Sequence, residues 1–133
     1  MRRLASIVLT LISCAACGGS VAIEIQNDGD LEGLAGSEQN ATGTLATEGA
    51  YQGDYTLTAS GDAGIDFCRI AVDDGALEQE QNVDTTEKAS LSLVIDIKTT
   101  DDATGTAVCT VEAIKVSDAT VSALATARVR IVE

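Results

Sequence analysis

The chain has 133 residues, one domain's worth, with no Pro, His or Trp, and its only aromatic residues are Tyr51, Tyr55 and Phe67. A formal net charge of −13 repels nucleic acid and anionic head groups and argues against both as partners. Without His, the usual catalytic triads lose their base and the common zinc sites lose their main ligand, so nothing in the composition favours an enzyme. Much of the 45 % apolar fraction is Ala and Val, which makes a thin core that wants a covalent staple or a partner.

Met1, Arg2 and Arg3 form a basic start, and residues 4–12 (LASIVLTLI) are an unbroken apolar run. Small residues follow, completing the three-part plan of a secretory signal. The run is too short to span a bilayer, which takes ~20 residues. Leu11-Ile12-Ser13-Cys14 resembles the lipobox of bacterial lipoproteins. The resemblance implies that residues 1–17 are leader and lipobox, that the cysteine becomes the first mature residue, and that it carries acyl chains. Two or more such chains make a stable membrane anchor. Cys14 has the better local motif. Cys17 is the alternative, with Ala15-Ala16 before it and Gly18-Gly19-Ser20 after it, and cleavage there leaves an even pair of cysteines. The implied location is the cell envelope, lipid-anchored to a bacterial membrane, with the domain outside the cytoplasm.

Residues 18–50 read as an acidic flexible tether. Val21, Ile23 and Ile25 alternate with Ala22, Glu24 and Gln26 as a first strand. Residues 27–49 are rich in Gly, Asp, Glu, Ser and Thr and read as a long, partly disordered loop, with Leu45 marking a short strand inside it. Within this stretch Asp28-Gly29-Asp30-Leu31-Glu32-Gly33 resembles the start of a D-x-D-x-D-G calcium loop. Oxygens of Asp28, Asp30 and Glu32 would curl round one Ca²⁺, with Gly33 at the sharp turn. The closing Glu of such loops falls on Gln39, with Glu38 one place short, and the plainer reading is a solvated Gly/Asp loop. No other cofactor is expected.

Residues 51–133 read as the folded domain. Tyr55, Leu57 and Ala59 alternate with polar residues, and residues 60–64 make a turn. In residues 65–72 (IDFCRIAV), Cys68, Ile70 and Val72 share a face. Asp73-Asp74-Gly75 is a turn, and the Asp73-Asp74 and Asp101-Asp102 pairs suit turns through local hydrogen bonding. Residues 76–89 are polar and read as loop or one short helix. Leu91, Leu93, Ile95 and Ile97 give the clearest strand, residues 99–105 turn the chain, and Ala107, Cys109, Val111 and Ala113 share the next inward face. After Ser117-Asp118 a long closing strand runs through Val121, Ala123, Ala125, Ala127, Val129 and Ile131. Period two with recurrent turns predicts an all-β protein, an antiparallel sandwich or barrel. If the closing strand lies at an edge, Arg128 and Arg130 guard it against pairing.

Export would place Cys68 and Cys109 in an oxidising compartment, where a disulfide is the natural state. Two buried free thiols or a redox pair are the alternatives, although neither residue sits in a C-x-x-C. Residues 105–113 (GTAVCTVEA) look like the second-cysteine strand of immunoglobulin-like domains, with Gly105 four places before Cys109. The resemblance implies an Ig-like antiparallel β-sandwich in which Cys68, on an earlier inward strand, pairs with Cys109, and residues 125–131 (ATARVRI) resemble the family's last strand. The chain departs from the pattern in two places: the corner Tyr two before the second Cys is Ala107, and the core Trp is absent. The expected function is a membrane-anchored, non-enzymatic binding or envelope structural module with an unidentified protein or envelope partner. The alternatives are a calcium-dependent binding module built on Asp28, Asp30 and Glu32, and a small secreted hydrolase using a pair of carboxylates.

Overall fold

A computed structural model describes residues 12–14 and 19–132. Most of the expected leader, and Cys17, lie outside the described residues. Ten strands form: β1 (Ile12–Cys14), β2 (Gly19–Ile25), β3 (Asp30–Gly33), β4 (Glu38–Gly49), β5 (Asp54–Gly61), β6 (Ile65–Val72), β7 (Glu80–Asp84), β8 (Ser90–Thr99), β9 (Thr106–Lys115) and β10 (Asp118–Ile131). They make two five-stranded sheets, β1-β2-β4-β8-β6 and β3-β10-β9-β5-β7, packed as an all-β sandwich.

The core follows from alternation. Val21, Ile23, Ile25, Leu45, Leu91, Leu93, Ile95 and Ile97 project inward from the first sheet. Facing them are Leu57, Val111 and Val129 with a row of small residues, Ala113, Ala123, Ala125 and Ala127. Bulky rows on one sheet therefore meet small rows on the other, which lets the sheets interdigitate although few side chains are large. The two cysteines add the covalent link: Cys68 on β6 and Cys109 on β9 form a disulfide between the sheets, with Cα atoms 6.2 Å apart.

The sandwich has two ends. Gly19 pairs with Gly49, and Lys115 with Tyr55 and Asp118, at what is called here the lower end. Glu38 pairs with Lys98, and Arg130 with Thr106, towards the upper end.

Three stretches differ from the sequence expectation. Residues 27–49, expected as a long loop in a flexible tether, carry β3 and the twelve-residue β4, so the sandwich takes strands from ahead of Tyr51. The inward face of β4 is Ala41, Gly43, Leu45 and Thr47, which hides its hydrophobic signal. Gly43 sits where β2 comes close, and a Cβ there would lie 2.5 Å from the Glu24 carbonyl oxygen. Residues 76–89, expected as loop or helix, carry the polar edge strand β7 after a bridge from Glu78 to Ile70. Ile12–Cys14, expected in the leader, runs antiparallel to β2 from Ile12 opposite Val21 to Cys14 opposite Gly19.

The sheets are not wholly antiparallel either. After Ile25 the chain changes sheets without reversing, through a 3-10 turn at Gln26–Gly29, and β3 then pairs parallel with β10. The crossing takes φ of 57° at Asn27, 58° at Asp28 and 76° at Gly29, a left-handed run that Asn, Asp and Gly tolerate best. Gly29 is required twice over, because a Cβ there would lie 2.1 Å from the Thr126 carbonyl oxygen.

Candidate functional site

Two clusters of ionisable side chains among the described residues lie towards the upper end. The first is the β3–β10 edge. Parallel register sets Asp30 beside Arg128 and Glu32 beside Arg130. Arg128 donates through Nη2 to Asp30 Oδ1 at 2.8 Å and to the Asp28 carbonyl oxygen at 2.6 Å, and through Nη1 to Thr126 Oγ1 at 2.9 Å. Arg130 forms an ion pair with Glu32. These groups, with Leu31 and Thr106, line an open notch of about 540 Å³.

The candidate calcium residues are thus placed differently from the sequence expectation. Asp30 and Glu32 point at guanidinium groups, and Asp28 lies in the turn, largely buried, with its carbonyl oxygen bonded to Arg128. Among the described residues, no three His, Cys, Asp or Glu side chains converge as a metal site. The geometry differs from that of a calcium loop: β3 extends this stretch along β10, whose arginines pair with Asp30 and Glu32. Arg128 and Arg130, expected to guard an edge, instead hold the strand that covers it.

The second place is the outer face of the first sheet. Asp96 on β8 is opposite Asn40 on β4 and Arg69 on β6, and its side chain is 3 % exposed. Arg69 Nη2 donates to Asp96 Oδ2 at 2.9 Å and lies 4.0 Å from Glu38 Oε2, while the guanidinium stacks 4.1 Å from the centre of the Phe67 ring. A hydrogen bond with Asp96, and then the Asp96 charge, hold the Glu38 carboxyl above its ordinary range, against the pull of Arg69 and Lys98. The sequence signal for this cluster was present but unread: Asp96 is the one charge in a run of apolar residues, 93–97.

The tyrosines form a third feature, structural rather than open. The Tyr55 hydroxyl donates to the Tyr51 carbonyl oxygen at 2.5 Å, four residues upstream. A buried tyrosine hydroxyl bonded to a carbonyl a few residues upstream has the form of a tyrosine corner, here at the start of β5 and not on the strand of Cys109. Burial pushes the Tyr55 phenol up to about 12. Gly105 enters β9 at φ 71°, and its carbonyl oxygen accepts the Ile131 amide at 2.8 Å.

No protein-family model matches the chain, and no curated protein matches it as a relative. Among solved structures it is similar to a family 123 glycoside hydrolase from Clostridium perfringens, described as hydrolysing glycolipid glycans, at TM-score 0.55 and 12 % identity over 78 % of this chain. The chain spans only 22 % of that enzyme's length, so the similarity is one of fold. It is also similar to WR4, an MSP family member of C. elegans, at TM-score 0.48 and 11 % identity, covering 83 % of this chain and 97 % of that one.

Proposed function

We propose that the chain is a bacterial envelope lipoprotein whose sandwich works outside the cytoplasm as a non-enzymatic binding or structural module, anchored through acyl chains on Cys14 or, as the alternative, Cys17. The observation that carries this reading is the Cys68–Cys109 bridge between the sheets, a bond that persists in oxidising compartments and is rare in reducing ones. It agrees with the secretory plan of the first residues. The non-enzymatic part rests on how the charged groups are used: Asp30, Glu32, Asp73 and Asp96 each pair with an Arg or Lys, so they are set to hold strands together. The test is detergent phase partitioning of the full chain made with its own leader. The native protein should enter the detergent phase, and a Cys14→Ser, Cys17→Ser double variant should stay in the aqueous phase. If the native protein also stays aqueous, the proposal fails.

A further inference from the structure

We infer that the lower end of the sandwich is the face presented to a lipid bilayer; the inference rests on the lipoprotein reading above. Strand register carries it. Cys14 is opposite Gly19, and Gly19 is opposite Gly49, so the chain reaches the sandwich at that end. Cys17 precedes Gly19 by two residues and Cys14 by five, which limits the reach from acyl anchor to β2 to about 7 Å or about 18 Å. The body is longer than either: β4 alone, at twelve residues, spans about 40 Å. Whichever cysteine carries the acyl chains, the lower end stays beside the anchor, and in the upright orientation inferred here the opposite end, with Leu34 and residues 99–105, stands away from the head groups.

The lower end also carries an apolar tip. Val116, between β9 and β10, is 63 % exposed, and its amide donates to the Asp54 carbonyl oxygen at 2.8 Å, which fixes the turn. Lys115 stands next to it and donates to Ser117 Oγ at 3.0 Å. An apolar tip beside a lysine suits the boundary between head groups and acyl chains. The exposed Asp54, Asp84 and Asp118 around it repel anionic lipid, so the surface that fits is zwitterionic. The sandwich therefore does not swing on a tether: it stands on the bilayer and offers its upper end, with the β3–β10 notch and the Arg69–Asp96 cluster, to partners.

The chain has no tryptophan, so single-tryptophan variants report their own position. Val116→Trp and Leu34→Trp replace exposed residues at opposite ends, with Leu34 58 % exposed. Each acylated full-length variant is placed in phosphatidylcholine vesicles containing a lipid spin-labelled on its head group. Emission from the Val116→Trp variant should be lost by quenching while that from Leu34→Trp is unchanged. Equal quenching at both positions, or stronger quenching of Leu34→Trp, in protein whose intact mass shows the acyl chains would overturn the orientation alone. An intact mass without acyl chains would overturn the lipoprotein reading, and the orientation with it.

Discussion

Tyr55 shows how much one polar atom carries when the core is thin. Its hydroxyl donates to the Tyr51 carbonyl oxygen, and both residues are buried. Tyr55→Phe keeps the ring and removes the donor, so it should cost about 1–2 kcal/mol, read as a lower denaturant midpoint with an unchanged slope. Arg69 carries a different burden. Arg69→Ala would leave the Asp96 carboxylate buried beside Glu38, and fully buried pairs broken this way lose about 3–5 kcal/mol. Arg69 is 39 % exposed and screened by water, so the expected loss is nearer about 2 kcal/mol. Glu38 ties stability to pH. Its carboxyl binds a proton more tightly folded than unfolded, so its stabilising contribution is complete below the ordinary carboxylate range and disappears as pH rises through its raised folded value. Glu38→Gln keeps a hydrogen-bonding group without the charge, and it should raise the melting midpoint at pH 7 while changing little at pH 3. Asp73, Asp84 and Asp118 act in the opposite sense. Hydrogen bonds from Lys88, Thr86 and Thr120 lower their carboxyls, and that stability is lost as pH falls through the lowered values.

Among the elements, β3 depends most on a single position. Gly29 combines a positive φ with a backbone oxygen where a Cβ would go, so Gly29→Ala should destabilise by more than about 1 kcal/mol. Hydrogen exchange should speed up first at residues 30–33 and at the β10 residues that pair with them. The same strand makes a metal prediction: with Asp30 and Glu32 neutralised by arginines, millimolar Ca²⁺ should leave the melting midpoint in place. A rise that Asp30→Ala abolishes would restore the calcium reading. The elements also show what was legible. β8 was plain because Leu91, Leu93, Ile95 and Ile97 alternate cleanly; β5 gave the same signal with Tyr55, Leu57 and Ala59, and β9 and β10 gave it with smaller residues. β4 and β7 were not, since β4 turns Ala, Gly and Thr inward and β7 is a polar edge strand. The pairing of Asp30 with Arg128 and of Glu32 with Arg130 spans 98 residues and rests on a change of sheet that alternation does not encode. Asp96 was readable in principle, as a lone charge in an apolar run, but its partners come from two other strands.

For the whole molecule, the Cys68–Cys109 bridge between the sheets is a major stabilising feature. Closing a loop with a sequence separation of 41 is worth ~4 kcal/mol in the chain-entropy model, against ~5–15 kcal/mol for a typical domain. A Cys68→Ala, Cys109→Ala double variant should therefore unfold at clearly lower denaturant, and reductant should shift the native chain towards the same midpoint without shifting the variant. The Ala-rich rows explain the dependence, since small inward side chains bury less apolar area per residue than leucines would. Charge works at this scale too, since a net −13 favours solubility and disfavours anionic partners. Intact mass spectrometry of the membrane fraction, run without reductant, bears most directly on where this fold works. The expected species begins at Cys14 or Cys17, carries acyl chains there, and shows no free thiol at Cys68 or Cys109. An unprocessed chain recovered from the soluble cell interior with both thiols reduced would contradict the account.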